Sequence, residues 1–122
     1  MNKEGELLRL IKEDELVHLC QDMVRIKTVN PPGNERENAD YIAEFLRKAG
    51  IEVEILAHSE TRATVVARLK GSGEKPGLLY SGHLDVVPVG AQEWLHDPFG
   101  GEVIEGKLWG RGASDMKGGN AA

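Results

Sequence analysis

Two short segments of this chain carry side chains whose types and spacing can do chemistry. Ser81-Gly82-His83-Leu84-Asp85-Val86-Val87-Pro88 sets an imidazole and a carboxylate two residues apart, directly after the apolar run Gly77-Leu78-Leu79-Tyr80-Ser81. On extended backbone, side chains at i and i+2 project to the same side. His83 and Asp85 then share the crevice at a strand's C-terminal end, where open α/β sheets hold their ligands. Two uses of the pair fit: both groups bind one metal, or His83 binds while Asp85 fixes the ring through its other nitrogen. A strand-end histidine beside a turn-forming aspartate is the plainer alternative. The second segment, Gly110-Arg111-Gly112-Ala113-Ser114-Asp115-Met116-Lys117-Gly118-Gly119, offers another carboxylate from a glycine-rich loop. Its glycines permit positive φ and close backbone approach, as a loop holding an ion requires. Asp115 can equally cap a helix that starts near Lys117. The spacing lacks the third glycine of a dinucleotide-binding turn, and no phosphate-loop Lys-Ser/Thr follows, so nucleotide binding is a weak rival.

These residues need elements to hold them. Leu7, Leu10 and Ile11, then Leu16, Leu19, Cys20, Met23 and Val24, recur at helical spacing over residues 6–11 and 14–26. Asn30-Pro31-Pro32-Gly33 must end that element. A further helix begins at Asn34, with Glu37 placed to complete a capping box. Ala39, Ile42, Ala43, Phe45, Leu46 and Ala49 form its buried stripe, and Gly50 is its C-terminal cap. Ile51, Val53 and Ile55 alternate with Glu52 and Glu54 as a half-buried strand, and Ala63 to Leu69 reads as a second. Gly77 to Ser81 is short and nearly all apolar, as an interior strand covered on both faces would be. A small hairpin turns at Glu105-Gly106, joining Gly101–Ile104 to Lys107–Trp109. Helices followed by strands give an α/β class, with a mixed β-sheet packed against helices.

The 122 residues suffice for one core, and 40% hydrophobic with 29% charged residues is a globular balance. A net charge of -5 argues against nucleic acid or an anionic membrane surface as partner. The single cysteine, Cys20, excludes an intrachain disulfide and reads as a buried, inert thiol on a helix face. The N-terminus carries no basic segment leading into an apolar one, and no apolar run is long enough to span a membrane. A cytoplasmic location is expected.

The constellation as a whole is more specific than its parts. Val24-Arg25-Ile26-Lys27-Thr28-Val29-Asn30-Pro31-Pro32-Gly33-Asn34-Glu35, Ser81 to Pro88, Trp94-Leu95-His96-Asp97-Pro98-Phe99, and Gly106 to Gly119 follow one another along nearly the whole chain. In this order they resemble the N-terminal part of the M20 metallopeptidase family, which includes acetylornithine deacetylases, succinyl-diaminopimelate desuccinylases, aminoacylases and carboxypeptidases. The Asn-Pro-Pro-Gly-Asn-Glu turn looks most like the deacetylase/desuccinylase branch.

The resemblance implies residues 1–122 as the N-terminal portion of a zinc-exopeptidase-like catalytic domain, incomplete here. The lid and dimerisation domain and the rest of the catalytic domain would lie beyond Ala122. By position, it implies that His83 binds one zinc, Asp115 bridges two metals, and Asp85 is a catalytic residue that orients His83. It also implies a cis peptide at Asp115-Met116. Two zinc ions per complete site are implied, with cobalt or manganese as substitutes, and a homodimer for the full-length family. The implied activity is metal-dependent hydrolysis of the amide bond of an N-acyl amino acid or small peptide. The glutamate base and remaining ligands are expected downstream, so 1–122 alone should bind zinc weakly and turn over nothing. A truncated, non-enzymatic remnant acting as an interaction module is the alternative. His96 and Asp97 read as loop structure lining the cleft, and His18 and His58 as solvent-facing. Asn120 stands where a family member usually has an apolar residue opening a helix under the site.

Overall fold

A computed structural model describes residues 2–122. The chain runs through α1 (Lys3–Leu8), α2 (Glu13–Arg25), α3 (Arg36–Lys48), β1 (Glu52–Ala57), β2 (Ala63–Arg68), β3 (Glu102–Ile104), β4 (Lys107–Trp109) and α4 (Gly118–Ala121). A helical turn, Ala113–Lys117, leads into α4 and breaks helical geometry at Asp115 and Met116. This is an α/β chain, as its pattern of elements predicts. The buried apolar residues are Cys20, Met23 and Val24 of α2, which packs on the Ala113–Lys117 turn and α4, Ala39 and Ala43 of α3, Ala63 of β2, and Val86.

Helix α3 packs on the antiparallel pair β1–β2, in which Val53 faces Ala67 and Ile55 faces Val65. Its C-terminus closes as the sequence predicts. Gly50 takes φ +78, its N–H donates to the Arg47 carbonyl, and the Ile51 N–H reaches back to Leu46. That double closure satisfies the last carbonyls, and the positive φ suits glycine. The N-terminus differs from the expected capping box at Asn34 and Glu37. The helix starts one turn-position later, capped at Glu35, with no side-chain cap bond. The Glu35 carboxylate is instead engaged by Arg62, whose Nη2 donates at 2.8 Å, and the Arg36 N–H donates to the Thr61 carbonyl. The β1–β2 turn thus supplies what a local side chain was expected to supply.

The hairpin β3–β4 forms at the predicted place, and Glu105 (φ 52) with Gly106 (φ 73) makes the doubly left-handed turn that matches strand twist. Gln21 and Arg25 of α2 dock it by donating to the Gly101 and Gly100 carbonyls. Among the described residues the strands form two separate antiparallel pairs. Gly77–Ser81 is not a strand, and Leu78, Leu79 and Tyr80 are 76%, 87% and 85% exposed. The apolar run satisfies the composition of an interior strand, but among the described residues nothing lies alongside it to complete a ladder. Only farther on does the chain pair, where Val29 and Val86 form a parallel bridge. The first helical segment also differs: α1 ends at Leu8, leaving Leu7, Leu10 and Ile11 exposed.

Lys117 is the largest fully buried side chain. Its Nζ donates to the Met23 and Ile26 carbonyls, both at 2.7 Å, at the C-terminus of α2. A cation there meets the negative end of the helix dipole as well as unpaired carbonyls. Burial still pulls the ammonium's pKa down to about 8. Nearby, Tyr41 of α3 donates its hydroxyl to Asp22 of α2 at 2.8 Å. Burial, that hydrogen bond and the Asp22 charge push its pKa up to about 12.

Three outcomes are expected. Lys117→Met, which keeps the stem but leaves two carbonyls unpartnered, should cost about 3 kcal/mol in denaturant melts. Tyr41→Phe should cost about 1 kcal/mol at neutral pH. Because the folded phenol keeps its proton beyond the unfolded value near 10, that contribution is complete below pH 10 and fades between pH 10 and 12. The gap between wild type and Tyr41→Phe should narrow across that window. Leu79→Glu should leave the melting midpoint unchanged while reducing concentration-dependent association in gel filtration, since it charges an exposed apolar run.

Candidate metal centre

The site is assembled by a parallel crossing of two loops. Thr28 Oγ1 donates to the Leu84 carbonyl at 2.6 Å, the Val86 N–H to the Thr28 carbonyl, and the Asn30 N–H to the Val86 carbonyl. These bonds lock residues 28–30 beside residues 84–86. They carry Asn30 to Asp85, where its Nδ2 donates to Oδ2 at 2.8 Å. Asp115 arrives from the other side on the turn after Gly112. Gly112 takes φ +86, and a Cβ there would run into Val86 Cγ1. The loop's glycine is therefore required by backbone and by space at once.

His83, Asp85 and Asp115 are brought together. The His83 ring sits between the carboxylates, with Nε2 2.9 Å from Asp115 Oδ1 and Nδ1 3.1 Å from Asp85 Oδ1. Nδ1 also lies 3.0 Å from the Asp85 carbonyl. The Asp115 hydrogen bond, then the Asp85 backbone contact, raise the His83 pKa, because both favour the imidazolium. Asp85 is held below the usual carboxylate range, first by the Asn30 amide and further by the His83 charge. The side chain of Asp115 is 87% exposed, so its oxygens face solvent. A cavity of about 190 Å³ opens here, lined by His83, Asp85, Val86, Arg111, Ser114 and Asp115. A larger, mostly apolar cavity of about 500 Å³, walled by Leu16, Val17, Cys20, Trp94, Leu108 and Trp109, borders it at Gly110 and Ser114 but includes none of His83, Asp85 and Asp115.

The donor set suits zinc as far as it goes. It presents an imidazole nitrogen beside an exposed carboxylate oxygen, with the other ring nitrogen oriented by a second carboxylate. Among the described residues, no group of three or more His, Cys, Asp or Glu side chains is arranged to hold one ion.

The remaining candidates separate cleanly. Cys20 is buried, and burial raises its pKa, which keeps it a thiol. His18 and His58 are exposed, turned to the Asp14 carbonyl and Thr64 respectively. His96 packs edge-on against Trp109 at 4.7 Å between ring centres, and Asp97 accepts the Phe99 N–H. Both are loop structure, as expected, but they line neither cavity. The peptide Asp115-Met116 is cis, as are Asn30-Pro31 and Pro31-Pro32. Two contributors escape sequence reasoning. Asn30 reads there only as part of a helix-ending turn, and nothing in the sequence ties Lys117 to α2.

Fold and site together define an α/β chain in which His83, Asp85 and Asp115 meet at one cavity. Residues 79–122 match the model of peptidase family M20/M25/M40. Similar curated proteins include a succinyl-diaminopimelate desuccinylase of Methylobacterium radiotolerans, 42% identical over 88% of this chain and 28% of its own length. A probable succinyl-diaminopimelate desuccinylase of Staphylococcus aureus is 43% identical over 88% of this chain and 26% of its own. One from a Wolbachia of Culex pipiens is 37% identical over 87% and 26%. The chain is similar to M20-family proteins over most of its length, and it spans about a quarter of the length of the curated relatives it matches.

Gly112→Ala is expected to destabilise by more than about 1 kcal/mol, from the left-handed backbone and the crowding of Val86. Thermal melts check the loss, and loss of the His83–Asp115 contact by NMR checks its origin.

Proposed function

We propose that this chain is the N-terminal portion of the catalytic domain of a zinc-dependent amidohydrolase of the M20 family. In this reading His83 is a ligand of one zinc, Asp115 bridges two, and Asp85 orients His83. The observation that carries it is the imidazole held between two carboxylates, one of them open to solvent. Zinc bound there supplies Lewis acidity toward a substrate carbonyl and toward water; cobalt or manganese would serve similarly.

The chain's own part is positional. Asp85, fixed by Asn30, lies against Nδ1 and so turns Nε2 toward Asp115, the carboxylate that would share a metal with it. Asp115 brings a negative oxygen to the same place from a different loop, so its charge offsets that of a cation. The relatives' names support an N-succinyl amino acid as substrate, cleaved at its amide bond. Among the described residues no helix is long and apolar enough to cross a membrane. The full-length protein would add the remaining ligands, a general base and a dimerisation domain.

Calorimetric zinc titration tests this reading. The 122-residue chain should bind zinc weakly, and His83→Ala or Asp115→Asn should weaken binding at least tenfold. Asp85→Asn should weaken it less, since it touches the ring and not the ion. No hydrolysis of an N-succinyl amino acid is expected from residues 1–122 alone. Zinc affinity unchanged in both ligand variants would overturn the assignment of His83 and Asp115. Chelator-sensitive turnover by the isolated chain would overturn the view that further residues are needed.

A further inference from the structure

The main chain of His83 is held in an unusual way. No backbone group among the described residues pairs with Gly77–His83, so His83 has no sheet neighbour to fix it. Side chains take that place. The His83 N–H donates to Met116 Sδ at 3.4 Å, and the His83 carbonyl accepts from Asn120 Nδ2 at 2.7 Å. Both partners lie just after Asp115, on the turn and on α4. The seam is tight: a Cβ on Gly82 would strike the Asn120 amide and come within 3.1 Å of Met116 Cε.

These contacts close a circuit. From Asp115 the chain passes through Met116 into α4, Asn120 of α4 grips the His83 carbonyl, and the His83 ring returns to Asp115 at 2.9 Å. A carbonyl fixed on one side and an N–H fixed on the other leave the His83 Cα–Cβ direction little freedom. Without them, an exposed segment lacking ladder bonds would let the imidazole wander relative to the carboxylate. Displacements of that size matter in a ligand set, because metal affinity depends on donors being held ready. Asn120 is also the polar residue at a position where the family resemblance implies an apolar one, and its amide is what makes the contact.

We propose that Asn120 is a positioning residue, fixing the separation of His83 from Asp115 through the His83 carbonyl. This rests on the reading of His83 and Asp115 as metal ligands. The test uses the 122-residue chain, with zinc affinity from chelator competition, visible absorption of the cobalt-loaded form, and the His83 carbonyl carbon shift by NMR. Asn120→Leu preserves bulk and removes the donor. It should weaken zinc binding about tenfold, alter the cobalt absorption, and move the His83 carbonyl shift, with its circular dichroism spectrum unchanged. Asn120→Gln keeps the donor and should recover part of the affinity. A wild-type chain that binds zinc and an Asn120→Leu chain that binds it equally well would overturn the proposal, as would equal loss in both variants. A wild-type chain that binds no zinc is a different outcome. It overturns the metal reading itself, and this role of Asn120 with it.

Discussion

The arrangement depends on one buried cation. Lys117 reaches across the molecule to the end of α2 and donates to two carbonyls that the helix cannot satisfy itself. Helix α2 carries Met23 and Val24 into the core and holds the β3–β4 hairpin through Gln21 and Arg25. The turn carrying Asp115 is anchored to that same helix end, two residues from the carboxylate. Core and candidate centre are therefore one mechanical unit. The cost of burying an ammonium, visible in its lowered pKa, is offset by two short charge-assisted bonds and the helix dipole.

Around that anchor, the centre is a meeting of three loops, with no single element carrying it. The loop at 28–30 contributes the Asn30 amide, the segment at 83–86 contributes His83 and Asp85, and the turn after Gly112 contributes Asp115. The first two are joined main chain to main chain at the parallel Val29–Val86 bridge and side chain to side chain between Asn30 and Asp85, and the third meets His83 through the Asp115 side chain. Such a site can be held firmly at its backbone while its ligating atoms stay open, and the 87% exposure of Asp115 against the burial of Lys117 shows that contrast. The electrostatics agree: a histidine between two carboxylates is poised to hold positive charge, whether a proton or a metal ion.

Local patterns were legible wherever one stretch of chain contained both halves of the interaction. Gly50 ends α3 because a positive φ and the two preceding carbonyls are all encoded within six residues. Glu105-Gly106 turns β3 into β4 for the same kind of reason. The reading strained where a distant group won. Asn34 and Glu37 form a plausible capping box, yet Thr61 and Arg62 arrive from the β1–β2 turn and take over that end of the helix. Gly77–Ser81 has a strand's composition, but a strand needs a neighbour's backbone, and composition does not supply one.

What the sequence determined by itself is the chemical inventory and its short-range geometry. It set a histidine and an aspartate at i and i+2, an aspartate behind flexible glycines, and the family that such an ordered set resembles. What only the tertiary structure decided is which groups meet. That Asn30 fixes Asp85, that Asn120 and Met116 grip the backbone of His83, and that Lys117 ties the Asp115 turn to α2 are contacts across 33 to 94 residues of chain. Spacing along a sequence constrains directions over a few residues; over tens of residues, packing alone selects partners, because the chain between them is free to close in many ways.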